Sequence, residues 1–434
     1  MNWKIKFKEK LYDELEDYLF SNSPKENGCF VLGKVKNKVL FITDIYYPDD
    51  EKWIKKERDL CVPSPFYISK ACVLANNENK ALIFIHSHPE KNHPSVFSDV
   101  DLESNSKLFT NLKNILVNEI GSFVFSLKGI NGVIFSKNKI EKIDSYSVIG
   151  ERMRLIKDAS SVSCSLDDKE FNRQALFMKN KGLNLLSDIE IAIVGLGGIG
   201  SPLAIMLAKM GVRNFSFYDF DRVEIHNLPR IYGATRSDIG KYKIDVVKKH
   251  ILTFAEDCSI INNYDKIDIN TDLSKHDLIF GSVDNHTARD LLNKVSYEFS
   301  IPYIDSACAI PMSLDTDAVQ SSVISVNTVL LNRPCLWCSE VLDAMQIMEE
   351  SLTDEEKEVR VNDGYLKGVE TAPSVITLTT SVATFAINRF LNLWGILPGN
   401  FPNKMIFDFS NNMYLEPDVN IKEKCTCQKL NPFT

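Results

Sequence analysis

The apolar run Ile191-Ala192-Ile193-Val194 enters the loop Gly195-Leu196-Gly197-Gly198-Ile199-Gly200 and leaves it as a helix-forming stretch. Few patterns constrain a chain as tightly. The run reads as a strand buried on both faces, and the glycines allow a sharp turn into a helix N-terminus. A second apolar run ends in Asp219-Phe220-Asp221. Together they predict a β-α-β unit with a phosphate-binding crevice at the carboxyl edge of its sheet. The alternation continues, with strands expected at 189–194, 214–219, 258–264, 277–283 and 302–307 and helices at 201–210, 241–254 and 286–299. This second half is therefore expected to be a Rossmann-like α/β domain with a mostly parallel sheet.

The first half reads differently, as a compact α+β unit. Helices are expected at Asp13–Phe20 and from about Val100 to Leu112. Strands are expected at Cys29–Gly33, Lys38–Tyr46, Ala81–His86, Gly121–Leu127 and Gly132–Phe135. Asp144–Glu170, half helical and half Ser-rich, reads as a linker, which divides the 434 residues into domains 1–150 and 151–434.

A net charge of −8, with no long run of either sign, argues against nucleic acid or an anionic membrane as partner. Ile189–Val212 is long and nearly uncharged, but its glycines and Pro202 break it, so no membrane span is expected. Met1–Lys10 lacks the apolar core of an export signal, and clustered cysteines suit a reducing cytosol.

The glycine loop with Asp219 at the end of the next strand fits NAD, but no hydride-transfer set follows it. ATP needs cations on its phosphates and a carboxylate for magnesium. Arg173, Arg230 and Lys243 supply the cations, and Asp284 closes the fourth strand at the same sheet edge. Each charge alone reads as a surface ion pair; the ordered set favours ATP.

These residues resemble the ubiquitin-activating superfamily, especially the ThiF/MoeB-type adenylyltransferases of thiamine and molybdopterin biosynthesis. The likeness covers 170–434 and runs through Phe171-Asn172-Arg173-Gln174, the loop at 195–201, Asp219 and Asp221, Asn227 and Arg230, Lys243, and Asp284, Asn285 and Arg289. It implies a nucleotide cradled by Gly195, Gly197, Gly198 and Gly200, with Asp219 on the ribose. It further implies Asn227, Arg230 and Lys243 on the phosphates, magnesium on Asp284, and Asp221, Asn285 and Arg289 completing the site. Arg173 would act as an arginine finger reaching a partner subunit, in a homodimer formed through this domain. The implied reaction is attack of a protein's C-terminal carboxylate on the α-phosphorus of ATP.

Cys335-x-x-Cys338 and Cys425-x-Cys427 offer four thiolates, enough for a closed structural zinc site, although C-x-C is a tighter bite than C-x-x-C. The resemblance places a structural zinc here. Residues 339–424 contain no cysteine, so adenylation without a thioester in this segment is expected. Cys308 reads as a small buried residue.

In the first domain, His86 and His88 end an apolar strand and share one face, as two ligands of one metal must. Asp99 and Asp101 follow before a helix, and His93 reads as a loop residue. The pattern resembles the JAMM (JAB, MPN-like) metalloproteases. That likeness implies Glu26 as general base, Ser98 as oxyanion helper and a catalytic zinc on His86, His88 and a carboxylate. Spacing selects Asp99, while the Ser98 context and Leu102 select Asp101, which is preferred.

The two resemblances together imply a bifunctional enzyme of a bacterial ubiquitin-like pathway, phage defence being one setting. It would cut at, and adenylate, the C-terminus of a β-grasp protein, with a conjugating enzyme as a further partner. Sulfur-carrier activation for cofactor biosynthesis and a non-catalytic scaffold are the alternatives.

Overall fold

A computed structural model describes residues 2–48, 53–56, 61–89, 96–136, 139–157, 169–313, 318–353, 355–357 and 373–433. The chain forms two units, Met1–Ser163 with Pro432–Thr434, and Cys164–Asn431. No helix among the described residues is long and apolar enough to cross a membrane.

The first unit runs β1 (Trp3–Lys8), α1 (Glu9–Phe20), β2 (Gly28–Lys36), β3 (Val39–Tyr46), β4 (Trp53–Lys56), β5 (Cys61–Pro63), α2 (Pro65–Asn77) and β6 (Ala81–His88). It continues with α3 (Asp99–Leu112), β7 (Ile120–Ser126), β8 (Gly129–Ser136), β9 (Lys139–Ile149) and β10 (Arg154–Lys157). Its main sheet has the order β1-β3-β2-β6-β7-β8-β9-β10. Because β1 pairs with β9 as well as β3, seven strands close into a barrel-like ring. Closure removes the open edges that such a sheet would otherwise present.

Alternation along these strands sorts two cores. Val31, Ile83 and Ile85 pack with Tyr12, Leu15 and Leu19 of α1. Phe30, Leu32, Leu82 and Phe84 pack with Tyr67 and Ala71 of α2 and Phe109 and Leu112 of α3. The even-numbered face of β6 therefore looks towards α3, and His86 and His88 continue that face.

Trp3–Lys8 is a strand, its odd-numbered apolar residues buried although lysines separate them. One expectation changes here. The supposed linker begins later than residue 144. Tyr146 and Val148 are core residues of β9, the adjoining Ser145 and Ser147 are buried too, and β10 pairs back on β9. The unit boundary accordingly lies beyond residue 150. Residues 158–168 of the expected linker, and His93, lie outside the described residues.

The second unit runs α4 (Asn172–Asp188), β11 (Glu190–Val194), α5 (Gly200–Met210), β12 (Asn214–Tyr218), α6 (Lys243–Ile251), β13 (Ser259–Asn263), β14 (Leu278–Gly281) and α7 (His286–Phe299). Then follow β15 (Tyr303–Ala309), β16 (Val323–Val329), α8 (Ala344–Glu350), α9 (Ile376–Leu393), β17 (Lys404–Asp408) and β18 (Met413–Leu415). Sheet order is β13-β12-β11-β14-β15-β16-β17-β18. The first five in that order are parallel, as expected, and β16, β17 and β18 extend them antiparallel. The chain winds outward through β12 and β13, then returns to the other side of β11. That reversal leaves a crevice at the carboxyl ends of β11 and β14, where ligands of such sheets bind.

Candidate functional site

Loops after β11, β12 and β14 meet at this crevice. Gly195 has φ +88° and a Cβ there would lie 2.7 Å from the Ser282 carbonyl, while a Cβ on Gly200 would lie 1.9 Å from the Gly195 carbonyl. Both positions therefore require glycine. Among the described residues nothing lies within 4 Å of a Cβ built on Gly197. Gly198 lies against the Arg230 side chain and Thr379 of α9.

Asp219 ties this loop to the next one. Its carboxylate accepts the Leu196 amide at 2.6 Å and the Asp221 amide at 2.8 Å. Burial raises its pKa above the usual value, against the opposing effects of Lys243 and the two amides. Lys243 opens α6 and pairs with Asp221 at 2.6 Å. Asn227 is buried, and its side-chain oxygen accepts the Glu224 amide at 3.2 Å. Asp284 is exposed at the end of the β14 turn. Arg173 is exposed on α4.

Two residues of the expected nucleotide set are engaged elsewhere. Asn285 caps α7, accepting the Ala288 amide at 2.8 Å. Arg289 donates to the Val283 carbonyl and lies 3.5 Å from Asp305. Asp305 is fully buried and held by the Tyr303 hydroxyl and Asn327. A carboxylate inside the apolar stretch Tyr303-Ile304-Asp305 signals such a pairing, because an unpaired buried charge is costly. Ser282, unremarked in the sequence, donates to the Gly195 carbonyl at 2.7 Å.

In the first unit, β2 and β6 pair with Gly28 opposite His86. Beyond the ladder, the Ser87 amide donates to the Asn27 carbonyl and the Ser87 hydroxyl accepts the Asn27 amide, so Glu26 falls opposite His88. Glu26 is buried with its carboxylate 3.5 Å from His88 Nε2. Of the two carboxylates before α3, Asp101 reaches the histidines, at 3.2 Å from His86 Nε2 and 3.5 Å from His88 Nε2. Asp99 points outward in the first turn. Ser98 is the N-cap of α3, donating to Asp101 at 2.7 Å and accepting its amide. The hydroxyl thus serves the carboxylate. Burial raises the Asp101 pKa, but both histidines and Ser98 more than reverse it and hold it well below the carboxylate range.

The donor atoms of His86, His88 and Asp101 lie within 4.8 Å of one another. Among the described residues His86 Nδ1 is buried without a hydrogen-bond partner, while its Nε2 faces the Asp101 carboxylate at 3.2 Å. Two imidazoles and one carboxylate with an orphaned donor fit a zinc ion that keeps an open position. Cys335, Cys338, Cys425 and Cys427 likewise converge within 4.8 Å, with Cys335 Sγ 3.4 Å from Cys425 Sγ. The Lys422 amide donates to Cys338 Sγ, as outer-shell amides do at thiolate sites. Four sulfurs fit a closed structural zinc. Cys308 is half-buried rather than fully buried, since β15 leaves the core at that end.

Residues 171–428, more than half of the chain, match the ThiF family. Molybdopterin-synthase adenylyltransferase of Escherichia coli (strain K12) is 29% identical over 181 residues, 40% of this chain and 69% of that protein. tRNA threonylcarbamoyladenosine dehydratase of Bacillus subtilis (strain 168) is 35% identical over 92 residues, 21% of this chain and 36% of that protein. Ubiquitin-like modifier-activating enzyme 5 of Aedes aegypti is 26% identical over 191 residues, 39% and 46% of the two chains. The chain therefore spans less than half of the latter two relatives.

Proposed function

The chain belongs to the ThiF family, and on that premise we propose that its second unit adenylates the C-terminal carboxylate of a ubiquitin-like or sulfur-carrier β-grasp protein. The observation that carries this is the glycine loop, where Gly198 lies against Arg230 and the Leu196 amide is held by Asp219, a carboxylate within the electrostatic reach of Lys243. In the proposed reaction a carboxylate oxygen of the tail bonds to the α-phosphorus. The bond to the β-phosphate bridging oxygen breaks, and pyrophosphate leaves with its electron pair. Asp219 orients the ribose, Arg230, Lys243 and Asn227 balance developing phosphate charge, and Arg173 serves a partner copy's site. Asp284 is the carboxylate for magnesium. Arg289 and Asn285 act on the loop that carries it.

We further propose that the first unit is a JAMM-type zinc peptidase acting on the tail of the same kind of substrate. His86, His88 and Asp101 would hold the zinc, which would supply Lewis acidity towards a bound water. Glu26, opposite His88, takes a proton from the attacking water and passes it to the departing amine. Ser98 orients Asp101, to which its hydroxyl donates.

ATP–pyrophosphate exchange with small β-grasp proteins, and cleavage of one carrying a C-terminal extension, test the two activities separately. Exchange without cleavage removes the peptidase proposal alone, and zinc-loaded protein with neither activity favours a scaffold. Thiocarboxylate formed on the substrate favours sulfur-carrier activation over conjugation, which the molybdopterin-type relative makes the second reading.

A further inference from the structure

The turn that carries Asp284 is fastened from two sides. From within α7, Arg289 holds the Val283 carbonyl and Asn285 caps the helix. From outside, Glu350 at the end of α8 takes the next amides. One carboxylate oxygen accepts the His286 amide at 2.7 Å; the other accepts the Thr287 amide at 2.8 Å and the Thr287 hydroxyl at 2.6 Å. The Asp343 amide, just before α8, donates to His286 Nδ1 at 3.1 Å. None of the α8 side chains is buried, and Met345 and Met348 are exposed. Polar contacts join α8 to the first turn of α7. Burial acts to raise the Glu350 pKa, but Thr287 and the two amides outweigh it, leaving the carboxylate below its usual range.

We propose that Glu350 is a positioning residue of the nucleotide site. By fixing the His286 and Thr287 amides it sets the turn from which Asp284 meets the divalent cation of ATP. This inference rests on the assignment of Asp284 to magnesium. Charge-assisted bonds from a carboxylate to backbone amides are about twice as strong as neutral ones. Their removal leaves the first turn of α7 without two of its capping acceptors.

The test uses the full chain and its Glu350→Gln, Glu350→Ala and Asp284→Asn variants. Manganese serves as the probe ion, its binding with a non-hydrolysable ATP analogue followed by electron paramagnetic resonance. Amide exchange across 284–288 is measured without nucleotide. Glu350→Ala is expected to weaken manganese binding about tenfold, as losses behind metal ligands do, and to speed exchange at His286 and Thr287. Glu350→Gln, which keeps one acceptor, is expected to fall between. The melting temperature should move by no more than about 3 °C, because α8 buries no side chain. Unchanged manganese affinity in Glu350→Ala, with Asp284→Asn impaired, overturns the positioning role alone. Unchanged affinity in Asp284→Asn overturns the assignment on which it rests.

Discussion

The Lys243 ammonium lies 2.6 Å from the Asp221 carboxylate, while the Lys243 amide donates to the Asp221 carbonyl. The start of α6 is thereby joined to the loop after β12, where Asp219 already grips the glycine loop through Leu196. Asp221 thus holds the cation at the crevice before any phosphate arrives. On the proposed reading, a polyphosphate would compete with a single carboxylate for a lysine that is already oriented.

Lys243→Ala is expected to lower kcat/KM for ATP in pyrophosphate exchange about 100-fold, the scale for losing one aimed donor at developing charge. Asp221→Asn should cost about tenfold or less, because the lysine remains and only its orientation is lost. Exchange within threefold of wild type in Lys243→Ala would count against a phosphate role.

Zinc analysis of the purified chain should find two ions per molecule. Asp101→Ala is expected to lose one and Asp99→Ala to keep both, since only Asp101 reaches the histidines. Two retained ions in Asp101→Ala would remove it from the ligand set.

Cys427→Ser should lose the other zinc and lower the melting temperature of the second unit by about 10 °C or more, because structural zinc binding is itself folding free energy. Glu26→Gln, outside both ligand sets, should keep both ions and lose cleavage at least about 100-fold. A Cys427→Ser protein with unchanged zinc and melting would exclude a thiolate role.

Asp238 closes the loop between Arg230 and Lys243, with Lys241 at 2.8 Å and the Thr235 hydroxyl at 2.6 Å. Lys241 first, then Thr235, holds its pKa down to about 2. The folded value lies below the unfolded one, so its stabilisation is present above about pH 4 and lost as pH falls towards 2. Asp238→Asn should therefore cost about 1 kcal/mol in urea titrations, a cap-sized loss, constant from pH 8 to 5. The gap from wild type should narrow below about pH 4. A gap that widens there would contradict the assignment.

The β-α-β start was legible because its signals are local: an apolar run, glycines at positions without room for a Cβ, and a carboxylate closing the next strand. The strand parity that puts His86 and His88 on one face was equally local. Tyr146 and Val148 were hidden because Ser145 and Ser147, buried beside them, look like linker residues. Asn285 and Arg289 occupy recognisable motif positions, but a motif does not say where a side chain points.

What the sequence by itself determined is which residue types stand where along each strand and loop: the glycine cradle, the paired histidines and the two cysteine pairs. Tertiary structure alone decided the partners. Strand register put Glu26 opposite His88, and helix packing brought Asp101 rather than Asp99 to the histidines. The docking of α8 gave Glu350 two amides beside Asp284. Periodicity is a property of neighbouring residues, whereas these contacts join segments distant in the chain. Register and packing set them, and no local spacing encodes either.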